Sequence, residues 1–215
     1  MRLIPLGAVF FAVEYLGVIA GALSGGLSAI RDRRYKYDLI GVFGLAFVTA
    51  LGGGITRDVI LQHGPPLAFV DPRYIFIALA GAAVAAMFEH RMGEGMDRAI
   101  DFIDAAALGF FAIAGTTRAL NDGLTMLPSI LLGLITAVGG GSLRDVLGGR
   151  TPRVFERGQF YAVAALAGSA AFLLADRTGM GRAWATVAGT LSCFLLRMLS
   201  IRFNWRTRPL RGTTD

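Results

Sequence analysis

Leu51-Gly-Gly-Gly-Ile-Thr-Arg-Asp-Val-Ile60 returns later in the chain as Val138-Gly-Gly-Gly-Ser-Leu-Arg-Asp-Val-Leu147. Each copy closes a long apolar run, and each sets an Arg-Asp pair three residues after a glycine triplet. Glycine is about 1 kcal/mol worse than alanine inside a helix, so three in a row mark a weak point in an apolar helix. In lipid, a loosened backbone survives only where it is buried in protein or lines a watery cavity. Glycine also serves close packing between membrane helices, and a single triplet fits either role. Two triplets in equivalent places, each followed by Arg-Asp, point to a transport path.

The triplets lie 87 residues apart, and the same offset pairs Thr49 with Thr136, Arg31 with Arg118, Pro65 with Pro152, Tyr74 with Tyr161 and Gly81 with Gly168. Mean hydropathy is +0.59 over 215 residues, of which 54% are apolar. At about 20 residues per span, seven segments cross or nearly cross a bilayer. They fall at about 5–30, 38–60, 72–90, 99–119, 124–147, 158–176 and 182–203. The expected fold is an all-α membrane protein with two three-helix repeats, about 5–90 and 99–176, and a seventh helix at about 182–203. Three is odd, so the second repeat enters the membrane with the opposite orientation, which makes the repeats inverted. Residues 1–203 form one transmembrane domain on this reading, and 204–215 a basic tail. The first span is too long for a signal peptide and has no clear small-residue cleavage pattern.

The net charge is +6, carried almost wholly by arginine, with Lys36 the only lysine. These arginines lie in short loops and the tail, which fits topology signals and lipid headgroups rather than nucleic acid. Arg31, Arg33, Arg34 and Lys36 follow helix 1; Arg91 and Arg98 follow helix 3; Arg150, Arg153 and Arg157 follow helix 5; Arg202, Arg206, Arg208 and Arg211 lie at the end. The opposite face carries Arg2, Arg73, Arg118, Arg177 and Arg182. The bias puts the N-terminus outside and the C-terminus in the cytoplasm.

Helix 2 runs from Leu39 to Leu51 before its triplet, about 20 Å of rise, so its break falls past the middle of the membrane. Helix 5 breaks at a comparable depth from the other side. Opened turns at Gly52, Gly53, Gly54 and at Gly139, Gly140, Gly141 present free carbonyls, hard ligands suited to alkali cations. Thr49 and Thr136 share a face with Gly53 and Gly140 and offer hydroxyls to the path, or bond back to their own helices. Arg57-Asp58 and Arg144-Asp145 form either a lock between the repeats or a gate on the path; the need of a buried charge for a partner favours the lock. Glu14 lies in apolar helix 1 with Asp101 as its repeat mate and Asp104 one turn on, and Arg197 lies in helix 7. Gly17, Gly21 and Gly25 form one close-packing face, within the subunit or between subunits. Cys193 is a small packing residue. His63 and His90 sit near membrane edges, no enzyme motif occurs, and the triplets lack the Lys-Ser/Thr of a phosphate cradle. No enzymatic activity, cofactor or resident metal is expected.

At the paired Gly-Gly-Gly-x-x-Arg-Asp sequences the chain resembles the prokaryotic members of the trimeric intracellular cation (TRIC) channel family, and Leu196-Arg-Met-Leu-Ser-Ile-Arg-Phe-Asn-Trp205 is similar to that family's last helix. The likeness covers both halves. It implies a homotrimer with one pore inside each subunit, running between helices 2 and 5 at their bent triplets, and conduction of monovalent cations, potassium above all. The short, arginine-rich chain looks bacterial, which implies the inner (plasma) membrane; its other partners are then lipids. The alternative is a secondary transporter for a small solute such as glycine, using the same breaks as a binding site. The topology is testable: single cysteines at Arg33 and Arg206 should both resist an impermeant thiol reagent added outside whole cells, and labelling at either overturns the orientation.

Overall fold

The computed structural model describes residues 7–88, 93, 95–156 and 160–205. Arg2, His90, Arg91, Arg157, Arg206, Arg208 and Arg211 lie outside the described residues. Eight helices occur among those described: α1 (Ala8–Ile30), α2 (Leu39–Leu61), α3 (Leu67–Val70), α4 (Pro72–Met87), α5 (Met96–Asn121), α6 (Met126–Leu147), α7 (Tyr161–Arg177) and α8 (Arg182–Arg202). Seven coincide with the expected spans, and the eighth, α3, is a single turn where the sequence indicated a loop. Five, α1, α2, α5, α6 and α8, are long and apolar enough to cross a membrane. The 16 residues of α4 and 17 of α7 rise only about 24–26 Å.

Local chemistry explains several boundaries. The Asp38 carboxylate accepts the Gly41 amide at 2.8 Å and starts α2. Asp71 accepts the Arg73 amide at 3.0 Å with Pro72 at the first helical position, which fixes the entry to α4. The left-handed Gln62 ends α2.

One expectation is corrected outright. Both triplets are helical: α2 runs unbroken through Gly52–Gly54, and α6 through Gly139–Gly141. Glycine's poor helix propensity is outweighed here by the packing its missing side chain permits.

The repeat register also needs correction. A Cβ built on Gly25 of α1 would lie 2.5 Å from Thr49 Oγ1 and 2.9 Å from Ala46 Cα; one on Gly115 of α5 would lie 2.5 Å from Thr136 Oγ1 and 2.9 Å from Gly133 Cα. Gly25 therefore corresponds to Gly115, an offset of 90, whereas α2 and α6 keep 87. The connection between α1 and α2 holds three residues more than its mate. Glu14 thus corresponds to Asp104, not Asp101, and the match of Arg31 with Arg118 is fortuitous.

The four helices α1, α2, α5 and α6 form the centre, with α4 against α1 and α2, α7 against α6 and α8, and α8 also against α5. Val18, Leu51, Tyr74, Leu108, Phe111 and Tyr161 belong to one buried cluster. Gly17 and Gly21 lie against Phe111, and Gly21 also against Ala50, so the α1 glycine face packs inside the subunit. Large apolar side chains such as Ile40, Val59, Phe76, Leu127 and Trp184 are left exposed. Such an exterior suits lipid and not water.

Candidate ion path and its charge clusters

The triplets meet where α2 crosses α6. A Cβ on Gly53 would stand 2.1 Å from the Thr136 carbonyl oxygen, and one on Gly140 would stand 2.2 Å from the Thr49 carbonyl oxygen. Residues 53 and 140 are repeat mates, as are 49 and 136, so the two contacts are reciprocal, as a two-fold relation requires. Only glycine fits at either place without moving backbone. Gly139 faces Gly53 Cα, and Gly52 faces the Leu143 side chain. The third glycines differ: a Cβ on Gly54 or Gly141 would first meet, respectively, Arg57 Nη2 at 3.9 Å or the Tyr161 hydroxyl at 3.4 Å and Arg144 Nη2 at 3.7 Å. They leave room beneath the guanidinium one turn along.

Thr49 and Thr136 donate their hydroxyls to Leu45 O at 2.6 Å and Leu132 O at 2.7 Å. The bonding back to their own helices holds, and what these residues bring to the crossing is their carbonyl oxygens.

The helices run in opposite senses through the crossing. The start of α2 lies near the end of α6, where Asp32 pairs with Arg150, and the end of α2 lies near the start of α6, where His63 Nδ1 is 3.2 Å from Asp122 Oδ2. Arg57 and Arg144, each four residues beyond its central glycine, therefore lie on opposite sides of the crossing, each about 6 Å along its helix.

Arg57 is 1% exposed. Its Nε donates to Asp58 Oδ1 at 2.8 Å, its Nη1 donates to Glu14 Oε1, and the Tyr74 hydroxyl donates to Glu14 Oε2. Asp58 Oδ2 accepts the Leu67 amide at 2.9 Å and anchors α3. The second cluster repeats this plan. Arg144 Nε donates to Asp145 Oδ1 at 3.0 Å, Asp145 Oδ2 accepts the Arg153 amide at 3.2 Å, and Arg144 Nη1 lies 3.5 Å from Asp104 Oδ1. Ser24 donates to Asp104 Oδ1 at 3.1 Å, and Arg197 lies over the Tyr161 ring at 4.9 Å.

The two Arg-Asp pairs are thus closed mainly within their own halves. The expected lock between repeats reduces to Ser24, which belongs to the first half and touches Arg144 and Asp104 of the second. Tyr74, Ser24 and Arg153 were missed as partners. The match of Tyr74 with Tyr161 was visible, but nothing in the spacing told which carboxylate it served.

At the end bearing Arg150, Asp32 is held below the ordinary carboxylate range. Burial alone would raise it, but the amide of Arg34 and the guanidinium of Arg150 stabilise its charge. That pair ties the connection before α2 to the segment after α6.

An all-helical, multi-pass membrane protein with two repeats crossing at glycines is the class that this geometry defines. The family model described as "Glycine transporter" matches residues 11–90 and 101–177. A UPF0126 membrane protein of Deinococcus radiodurans is 38% identical over 201 residues, covering 93% of this chain and 90% of that protein. The UPF0126 inner membrane protein YadS of Escherichia coli strain K12 is 30% identical over 193 residues, covering 89% and 91%. The TRIC trimeric intracellular cation channel orthologue from Rhodobacter sphaeroides superposes with a TM-score of 0.84 at 33% identity, over 93% of this chain and all of that one.

The chain belongs to this family, the UPF0126 membrane proteins with the fold of the prokaryotic TRIC channels.

The buried pairs predict a stability effect. Removing one member of a buried ion pair typically costs about 3–5 kcal/mol, because the other is left uncompensated. Arg57→Ala, which strands both Glu14 and Asp58, should lower the melting temperature in detergent by several degrees more than Arg73→Ala, an exposed arginine. Equal shifts would show that the Arg57 cluster is not a structural lock.

Proposed function

We propose that the protein is a monovalent-cation channel, favouring potassium, with one path inside each subunit of a homotrimer. The path runs through the crossing of α2 and α6, past Gly52, Gly53, Gly54, Gly139, Gly140 and Gly141. The observation that carries this reading is the reciprocal contact of Gly53 and Gly140 with the Thr136 and Thr49 carbonyl oxygens. It brings two backbone oxygens to the thinnest point between the halves. Carbonyl oxygens replace the hydration shell of an alkali cation well, and a small separation of the helices would uncover them. The likeness to the Rhodobacter sphaeroides TRIC channel supports both the cation and the trimer.

In this reading all seven longer helices cross the inner membrane, α4 and α7 as short spans. Residues 1–203 form the channel domain, with the two repeats inverted about an axis in the membrane plane, and 204–215 form a cytoplasmic tail. The end bearing Arg31, Arg33, Arg34, Lys36, Arg150 and Arg153 faces the cytoplasm, as its positive charge favours. Arg57 and Arg144 act as locks that brace the helices beside the path, since Arg57 is held by Glu14 and Asp58 and Arg144 chiefly by Asp145. Lipids and permeant monovalent cations are the remaining partners.

Recording from purified protein in planar bilayers tests the proposal. Unitary currents in potassium gradients, with smaller ones in sodium, are expected. Glycine uptake by proteoliposomes without unitary currents would overturn the channel in favour of a secondary transporter.

A further inference from the structure

Arg153 has no charged equivalent in the first half. Its mate by contact is the apolar Leu67, whose amide Asp58 holds as Asp145 holds that of Arg153, and the first cluster is closed instead by Glu14, which meets both Arg57 and Tyr74. Asp104 is one carbon shorter than Glu14. Its Oδ1 takes Ser24 and Arg144, and its Oδ2 accepts no hydrogen bond among the described residues, although the residue is only 4% exposed. The cation facing that oxygen is Arg153, with Nη1 3.6 Å from Asp104 Oδ2 and 3.5 Å from Asp101 Oδ1. Both distances exceed the roughly 2.7–2.9 Å of a strong charge-assisted hydrogen bond. The guanidinium stands between two carboxylates without fully bonding either.

Open space and an unbonded hydroxyl lie beside this guanidinium. A cavity of about 360 Å3 at this end is lined by Ser28, Asp97 and Asp101 and by Arg31, Arg33, Arg150 and Arg153; Asp97 holds Arg31 and Asp32 holds Arg150. Ser28 Oγ is buried and accepts or donates no hydrogen bond among the described residues. Ser28 is one turn beyond Ser24 on the same face of α1. Charge supplies the stoichiometry. Asp101, Asp104 and Asp145 stand against Arg144, Arg153 and Arg197; if Arg153 withdraws, one negative charge is left uncompensated, which matches one monovalent cation. Arg153 is free to withdraw because it sits between α6 and α7, with its side chain 32% exposed. Its amide, held by Asp145, keeps the segment in place meanwhile.

We propose that Asp104, Asp101 and the hydroxyls of Ser24 and Ser28 form a monovalent-cation site at this mouth, and that the Arg153 guanidinium is its tethered occupant when the path is shut. This deepens the channel reading and rests on it for its role. The entering ion exchanges with the guanidinium, which moves to the open cavity. Carboxylate and hydroxyl oxygens are hard donors suited to an alkali ion.

The test uses purified full-length protein. Melting temperatures are measured in potassium chloride and in N-methyl-D-glucamine chloride at equal ionic strength, for wild type, Arg153→Gln and Arg153→Gln with Asp104→Asn. A ligand that binds only the folded state raises stability saturably. Arg153→Gln should gain a saturable potassium-dependent rise larger than that of wild type, and the double variant should lose it. In bilayers, Arg153→Gln should raise open probability by about threefold, the scale of a rim ion pair. No added potassium response and unchanged gating in Arg153→Gln overturn the site. A potassium response without currents from any variant upholds the site and removes the channel reading. If Arg153→Gln does not fold, Arg153→Cys modified by a cationic or a neutral thiosulfonate carries the same test. The cationic adduct should restore wild-type behaviour and the neutral one should not; identical behaviour overturns the proposal.

Discussion

The close approach of α2 and α6, in which Gly53 and Gly140 lie on the carbonyl oxygens of Thr136 and Thr49, is the constraint on which the other features depend. A methyl group at either glycine would overlap backbone, which has no rotamer through which to yield. Because the helices touch there, the third glycines can seat Arg57 and Arg144 along the helices. Those guanidiniums in turn reach carboxylates on α1 and α5. Gly25 and Gly115 complete the arrangement by letting α1 and α5 lie on Thr49 and Thr136.

Electrostatics then divides what packing makes alike. Both halves place an arginine, its neighbouring aspartate and one acid from the preceding helix in a buried group. Glu14 is long enough to meet Arg57 and Tyr74 together, so the first group is closed on itself. Asp104 falls short, and Ser24 and Arg153 gather around it, with Arg197 near enough to act on its charge. A buried charge without full hydrogen bonding is costly, so the second group is the one with a reason to exchange partners. Two near-copies of one design thereby yield a braced side and an adjustable side.

Much of this was legible in the residues. Seven of the helices followed from apolar length, and the pairing of the triplets at one offset marked them as equivalent places in the two halves. What escaped was whatever depended on weighing two local effects or on counting through a loop. Helix propensity alone argued for broken helices at residues 52–54 and 139–141, whereas tertiary contact keeps both continuous. The three extra residues between α1 and α2 shifted the acid partner from Asp101 to Asp104, and only contacts such as Gly25 with Thr49 reveal that shift. The threonine hydroxyls had two physically sound uses, and their own helices took them. Arg153 gave no repeat signal because its mate in the first half, Leu67, carries no charge.

The continuity of the helices also changes what a small side chain should do. Alanine favours a helix and adds little bulk, so at a merely loosened turn it would be mild; against a carbonyl oxygen near 2.1 Å it is severe. The most direct measurement is therefore the unitary potassium conductance of Gly53→Ala and Gly140→Ala, set beside Gly54→Ala, whose added methyl has open space. If the crossing is the ion path, the first two lose most of their conductance while remaining folded assemblies, and Gly54→Ala conducts like the parent. Parent-like currents from both Gly53→Ala and Gly140→Ala would place the path elsewhere.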